Sequence, residues 1–398
     1  MFLTAVAGPA PAREIGPGSD LCGAINALRP GEELMLHPGD YQGPCTIRRG
    51  GRPGAPVVIR ALDPAQRPRI VYYAGRDSNV LDVKASHVIL RGLRFGPTQE
   101  EVDGVRVFKA EEITVEDCEF DGMGGIAVVA NHANVRGLVV RNNVILRARA
   151  TGMYFGCHDG TTCSIVGLLI EGNYIHGVTA PPDEVGYGIQ VKLNSAGIVR
   201  ANVIVDTKGP GIMVYGAHDP ALLSVVERNF VAGSHRSSGI VVGGGPALVR
   251  NNIAVGSAEA GIALEDYRKR GLLRGVVVVH NTVVGNGGGI GVPSNGPLDA
   301  LVINNAVQVR TGTPVLSPAR PGLELAGNVE CTGEACFANP DARDFSPAPG
   351  SPLVGAGAER QTPWFPAADF FGARRSARPS AGAVERTAGP VRLAPGRP

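Results

Sequence analysis

The stretch Asn202-Val203-Ile204-Val205-Asp206-Thr207-Lys208-Gly209-Pro210-Gly211-Ile212-Met213-Val214-Tyr215 decides how this chain folds. An asparagine opens a short β-branched run, and about nine residues later a glycine opens a second one. The same spelling recurs along the middle of the chain. Asn143-Val144-Ile145 leads to Gly152-Met153-Tyr154-Phe155, Asn229 leads to Gly239-Ile240-Val241-Val242, and Asn252 leads to Gly261-Ile262-Ala263-Leu264. The asparagines at 143, 173, 202, 229, 252, 281 and 305 are 30, 29, 27, 23, 29 and 24 residues apart. A period in the twenties marks a solenoid, because one such unit cannot bury its own apolar face and must stack on its neighbours.

The repeat lacks the leucine spacing of leucine-rich repeats and the 3.6-residue periodicity of helical ones. It is built instead of short β-branched runs such as Val276 to Val279, broken by Gly and Asn. With 56 glycines and 5% aromatics, the chain reads as short strands joined by tight turns. The predicted fold is all-β: a right-handed parallel β-helix of nine to eleven coils, about three strands to a coil. Inward side chains stack as aliphatic ladders, and each Asn at a bend stacks on its copy one coil on. The ladder extends backwards through Val88–Leu93 and Ile113–Cys118, where Cys118 takes the Asn slot as a small buried residue.

A solenoid grows as one unit, so 398 residues do not imply several domains. Residues 1–15 read as a leader remnant or disordered, 16–310 as the β-helix with its N-terminal cap, 311–387 as a terminal coil and irregular segment running back along the outside, and 388–398 as a disordered tail. Asp20-Leu21-Cys22-Gly23-Ala24-Ile25 is a short capping helix, with Ser19 or Asp20 as its N-cap. Net charge of +2 without a basic–aromatic run excludes a nucleic-acid partner, and no 18-residue apolar stretch exists to span a membrane. A monomer is expected. Seven cysteines fall into the pairs Cys22–Cys45, Cys157–Cys163 and Cys331–Cys336, with Cys118 left over. Three disulfides and a leader-like start point to a secreted or periplasmic protein.

Gly39-Asp40-Tyr41 followed by Gly50-Gly51-Arg52-Pro53-Gly54-Ala55-Pro56-Val57-Val58-Ile59-Arg60-Ala61 resembles the opening coil of secreted β-helix proteins related to pectate lyases. The nearest look is to the branch holding alginate lyases and chondroitinase B, and the Asn repeats resemble the same superfamily over roughly 70–310. Gly350-Ser351-Pro352-Leu353, Asp369-Phe370-Phe371-Gly372 and Gly382-Ala383-Val384-Glu385 look like the closing segment of bacterial β-helix proteins. The resemblance implies the fold more than the reaction, since the fold hosts lyases, hydrolases, epimerases, esterases and adhesins. In the lyase branch a Lys on one coil works with an Arg on the next. Lys192 matches the Lys, whereas Tyr215 stands where the Arg would be, leaving Arg236 to compensate. Tyr215-Gly216 with Asp219-Pro220 faintly echoes a mannuronan epimerase motif, but the spacing is off by one.

Strand alternation places the candidates. If Ile189 and Val191 point inward, Gln190 and Lys192 point out, as do Tyr154 one coil before, Tyr215 one coil after and Glu265 three coils on. Stacking at about 4.8 Å per coil makes Lys192 and Tyr215 lateral neighbours and puts Glu265 about 14 Å from Lys192. Lys192 is read as base or carboxylate partner, with Tyr215 or His218 as proton donor. Tyr154, Gln190, Asn194, Asp219, Arg236, Glu265, Asp266 and Tyr267 are read as substrate contacts. An outward Lys on a sheet is most often only solvated, and His218-Asp219-Pro220 is equally a plain turn. The extra residues at 173–188, with Pro181-Pro182-Asp183-Glu184, and the loop around His158 are read as groove walls. The expected partner is a polysaccharide and the leading activity a lyase acting on uronic acids. A hydrolase using Asp219, Glu265 and Asp266 and a non-enzymatic surface protein are the alternatives. No organic cofactor is implied, and calcium is held open through the Glu265–Asp266 carboxylates.

Overall fold

The computed structural model describes residues 12–73, 75, 78–310, 320–332, 336–359, 363–386 and 388–393. They form a parallel β-helix with three long sheets: sheet A of 13 strands, sheet B of 12 and sheet C of 10. Every strand of these sheets pairs in parallel with its counterpart one coil away, as in Ile189–Val191 with Ile212–Val214 and Val203–Thr207 with Phe230–Ser234. The count is about twelve coils, more than the nine to eleven expected, because the helix begins earlier and ends later than the clear repeats. Ala12–Ile15, expected to belong to a leader remnant, is a strand paired with Glu33–Leu36. Beyond Val309, Leu323–Ala326 and Val329–Glu330 add a further partial coil.

The turn between sheets A and B explains the asparagines. The residue before each ladder position sits at positive φ, as at Asn142, Ala201, Arg228, Asn251 and Asn304, where Gly and Asn are favoured. The ladder asparagine that follows is fully buried. Its Nδ2 donates to Oδ1 of the next copy at 2.9–3.0 Å from Asn143 through Asn305. Its second amide proton goes to a carbonyl one coil back, such as Val199 O for Asn229. Its Oδ1 also takes the backbone N–H of the preceding ladder residue. Every polar atom is thus satisfied in a dry turn, which is what burial requires. The ladder runs one rung further than the repeat suggested, to Asn328. At its other end Cys118 does occupy the Asn slot: its N–H donates to Asn143 Oδ1 at 2.9 Å.

Inside, aliphatic rows fill the bore, including Ile145, Ile175, Ile204 and Val231, with Phe95 stacked on Phe120 at 4.7 Å between centroids. On the outer face of sheet A, Arg91, Glu116 and Arg141 and then Glu171 and Arg200 alternate in sign across neighbouring strands. The helix Leu21–Asn26 closes the N-terminal end with Leu21 and Ile25 buried, and Asp20 caps it by accepting from Gly23 N–H at 2.9 Å. The three expected disulfides are present, and Cys118 is a buried free thiol.

The C-terminal segment packs on the outer faces of sheets A and B. Phe345 meets Phe230, Phe365 joins Leu248 and Val277, and the buried pair Arg375–Glu385 at 3.1 Å ties the segment together while Arg375 also donates to Asn251 at 2.7 Å. The tail expected to be disordered from 388 is docked as far as it is described: Val391 is buried and its N–H donates to Arg343 O at 3.0 Å. Residues 1–11 and 394–398, where the remaining leader and tail readings fall, lie outside the described residues. Among the described residues no helix is long and apolar enough to cross a membrane. The contacts of the C-terminal segment lie on sheets A and B over the later coils, whereas the outer face of sheet C carries its own loops, such as the turn Tyr267–Lys269.

Candidate active site on sheet C

The Gly-Ile-x-Val strands of sheet C pair in the expected register. Ile189, Ile212, Ile240 and Ile262 point into the core, as do Val191, Val214, Val242 and Leu264. Gln190, Met213, Val241 and Ala263 form the outward row. Lys192, Tyr215, Gly243 and Glu265 follow the paired ends directly, and the ladder continues through them, with Tyr215 N–H donating to Val191 O and Glu265 N–H to Val242 O.

Two of these outward side chains, those of Lys192 and Tyr215, are not solvated. Lys192 is 5% exposed and Tyr215 1%. Lys192 Nζ lies 4.3 Å from the centre of the Tyr215 ring and 5.8 Å from that of Tyr154, an aromatic cradle for a cation. Tyr215 is itself fixed: its hydroxyl accepts from Gln190 Nε2 at 2.8 Å and lies 3.1 Å from the Tyr187 hydroxyl, and its ring meets Tyr267 edge-on at 4.7 Å. Tyr267 belongs to a short 3-10 turn, Tyr267–Lys269, that folds over the sheet, and Leu272 packs beside it. Arg268 and Arg270 lie 5.5 and 5.4 Å from the Tyr267 ring centre.

The electrostatics follow from this enclosure. Among the described residues Lys192 forms no ion pair. Burial, reinforced by the positive charges of Arg268 and Arg270, lowers its pKa to about 8. Burial pushes Tyr154 up to about 12 and raises Tyr187 and Tyr215 as well, so these hydroxyls keep their protons. A base that is partly neutral near pH 8 thus sits beside phenols that remain acids, a pairing that suits proton abstraction coupled to proton donation. Glu265 reaches the surface and its carboxyl is raised by partial burial and by Glu259.

The remaining sequence candidates divide. Gln190, Tyr154 and Tyr267 join the cradle. Asn194 and His218 meet each other instead: both the His218 N–H and its Nδ1 lie against Asn194 Oδ1, at 3.0 and 3.1 Å, on the exposed turn. Asp219 accepts from Ala221 N–H and shapes that turn. Asp266 accepts from Gly271 N–H at 2.8 Å and holds the 3-10 turn. Arg236 is a correction. It precedes its strand, Ile240–Val242, whereas Lys192 and Tyr215 follow theirs; it therefore lies at the other edge of the sheet, beside Lys208 and His235. The position that matches Lys192 in that coil is Gly243. Tyr187, Arg268 and Arg270 were missed, although Arg268-Lys269-Arg270 is a visible run of three cations. Alternation identifies what a strand points outward, not what a later loop folds back over it. Among the described residues no group of three His, Cys, Asp or Glu side chains could hold a metal ion, so no step is routed through calcium.

The fold and the cradle define a right-handed parallel β-helix protein with a buried, polar, aromatic-lined site on one sheet. The profile of the right-handed β-helix region matches residues 103–307, and the chain belongs to that family. Among solved structures, pectate lyase Pel9A shares 15% sequence identity at a TM-score of 0.54, with 94% of this chain and 96% of that chain covered. An alginate lyase from Paenibacillus sp. str. FPU-7 shares 16% identity at a TM-score of 0.52, with 72% and 97% covered. These likenesses establish the fold. No curated protein sequence matches.

Proposed function

We propose that the protein is a polysaccharide lyase that cleaves a uronate-containing glycan by β-elimination on sheet C. The observation that carries this reading is Lys192: buried, without an ion pair among the described residues, lowered to about 8, and flanked by Arg268 and Arg270. A buried cation without a counter-ion is costly to fold around, and an anionic ligand supplies the missing charge. The neutral Lys192 amine takes the C5 proton of the uronate. Its electron pair forms the C4–C5 double bond, the C4–O bond breaks, and the leaving oxygen receives the proton of a phenol, Tyr215 being the nearest to Lys192. Arg268 and Arg270 bind the carboxylate and offset the charge that develops on it. That structures of this fold are named as pectate and alginate lyases supports the reading. Three disulfides support action outside the cytoplasm, secreted or periplasmic.

The test is ultraviolet absorbance of the unsaturated uronate during incubation with alginate, polygalacturonate, chondroitin and heparosan. Product with wild type and its loss in Lys192→Met supports the reading. No product from any polymer, or an undiminished rate in Lys192→Met, overturns it.

A further inference from the structure

The C-terminal segment grips the solenoid through one row of residues. Asn251, His280 and Asn304 stand at the same turn of three successive coils, each just before its ladder asparagine and each at a positive φ of 53–57°. Asn251 Nδ2 donates to Ala368 O at 2.8 Å, and its Oδ1 accepts from Arg375. Asn304 Oδ1 accepts from Ala358 N–H at 2.7 Å, while its Nδ2 donates to Ala358 O and to His280 Nε2, both at 3.1 Å. The outer two members of the row are amides and bind the segment alike at any pH. The middle one titrates.

His280 is buried, with the Phe365 ring perpendicular to it at 5.7 Å. Because Asn304 donates to Nε2, that nitrogen carries the lone pair and the neutral imidazole holds its proton on Nδ1. Nδ1 is buried without a partner in hydrogen-bonding geometry. Beside it lies Arg375, itself buried. The Arg375 guanidinium donates to the carbonyls of Ser380 and Gly382 at 3.5 and 3.0 Å and to the Glu385 carboxylate at 3.1 Å. Glu385 also takes the N–H groups of Ser376 and Ser380, and Asp369 is turned onto those of Phe371, Ala373 and Glu385. On the solenoid side Arg250 is paired with Glu227 at 2.8 Å, and at the surface Arg378 is paired with Glu359 at 3.6 Å. The seat thus holds one cation, Arg375, and the carboxylate that bonds it is already engaged.

Protonating His280 in place is unfavourable in three ways. Nε2 would turn a proton toward the Asn304 amide group that now donates to it, a second positive charge would be buried beside Arg375, and both cations would compete for the carbonyls of Ser380 and Gly382. Burial and the Arg375 charge accordingly hold His280 well below the ordinary imidazole value, against the pull of those carbonyls. With the segment off, the imidazole meets water and titrates near about 6.5. We propose that His280 makes the C-terminal segment an acid-released clasp: its protonation puts a second cation into a seat built for one, and residues 363–386 leave the late coils while the β-helix stays folded. The released state binds the proton more tightly. Docking is therefore at full strength above about pH 6.5 and weakens below it, by up to about tenfold per pH unit. The inference is independent of the lyase reading, since none of these residues belongs to the Lys192 cradle.

Trp364 is the single tryptophan of the chain and lies in the clasp, its carbonyl accepting from Arg250 at 3.5 Å. The test follows Trp364 fluorescence and the amide hydrogen exchange of 363–386, corrected for intrinsic rates, from about pH 7.5 down to about 4.5. Protection of the segment should fall progressively below about pH 6.5, while the strands Ile189–Val191 and Ile212–Val214 stay protected. His280→Asn places an uncharged residue that suits positive φ, as in the coils on either side, and should hold the segment to a pH lower by about one unit or more. A segment still protected at about pH 4.5, coils that open together with it, or the same pH dependence in His280→Asn overturns the proposal. If His280→Asn folds poorly, NMR of the wild-type imidazole decides: a segment that exchanges freely while His280 is still neutral overturns it too.

Discussion

Asn202 and Lys192 are both withdrawn from water, 0% and 5% exposed, and both are polar side chains less than one coil apart on the same solenoid. Asn202 has a partner for each polar atom: Asn229 Oδ1 and Ile170 O take its amide protons, and Asn173 supplies donors to its oxygen. Lys192 has two aromatic faces and, among the described residues, no carboxylate partner. Satisfied burial at the turn stabilises the stack, whereas unsatisfied burial on sheet C weakens it and persists where a ligand completes it. The two residues should therefore respond oppositely to substitution.

Lys192→Met carries the largest expected effect. It should lower kcat by roughly 10³ or more, since it removes the base, while leaving thermal stability equal or higher. A fall in both would place Lys192 in the structural class with Asn202. Linkage sharpens this. The amine binds its proton less tightly in the folded state (about 8) than unfolded, near 10.5. The unfolded chain thus holds more protons between those values, and the Lys192 contribution to stability improves as pH rises through that window. Denaturant midpoints of wild type and Lys192→Met should converge from about pH 8 upward.

Asn229→Ala is the converse. It strands Asn202 Nδ2 and its backbone N–H and removes the donor to Val199 O, all in a dry turn. The expected loss is on the order of 2–4 kcal/mol, read as a lower denaturant midpoint, with the per-molecule activity of the folded fraction unchanged. Unaltered stability would mean that the ladder is ornamental and that the aliphatic bore alone specifies the coils.

The contrast also separates what was legible in the chain from what was not. Ladder asparagines and the Gly-Ile-x-Val strands announce themselves because each coil must repeat the same solution to the same packing problem. The inward and outward assignment of Ile189, Gln190 and Lys192 followed from alternation alone, and with it the contact between Lys192 and Tyr215. That Arg268 and Arg270 face this site was not legible, because they act from a turn two coils past Tyr215 and no periodicity governs where such a turn folds. Arg236 was misplaced for a related reason: distance along the chain was read without asking on which side of its strand the residue falls.

Neutralising that turn tests whether it belongs to the site. In Arg268→Gln/Arg270→Gln the positive charges that help depress Lys192 are gone. Catalysis needs the deprotonated amine, so kcat/KM in wild type should rise with pH through an inflection near 8. In the double variant the inflection should move upward and kcat/KM at neutral pH fall roughly tenfold to a hundredfold. An unshifted pH profile would show that burial alone tunes Lys192 and that the two arginines are surface residues.

The smallest expected effect lies where the ladder is misspelled. Cys118 sits in the Asn slot with its thiol 3.8 Å from Leu90 O, the carbonyl that corresponds to Val115 O for Asn143. Cys118 N–H already donates to Asn143 Oδ1, as each ladder residue does to the next. The Leu93 N–H approaches the sulfur, where an amide oxygen would accept it. Cys118→Asn would therefore find a partner for both amide protons and for its oxygen without moving the backbone. It would exchange weak sulfur contacts for amide hydrogen bonds, each worth about 1 kcal/mol. The side chain is only slightly larger, so overpacking is the opposing term. A rise in the denaturant midpoint equivalent to about 1 kcal/mol is expected. A fall would show that the turn at this coil is packed around sulfur, and that the ladder ends at Asn143 because the N-terminal coils are too narrow there to admit an amide.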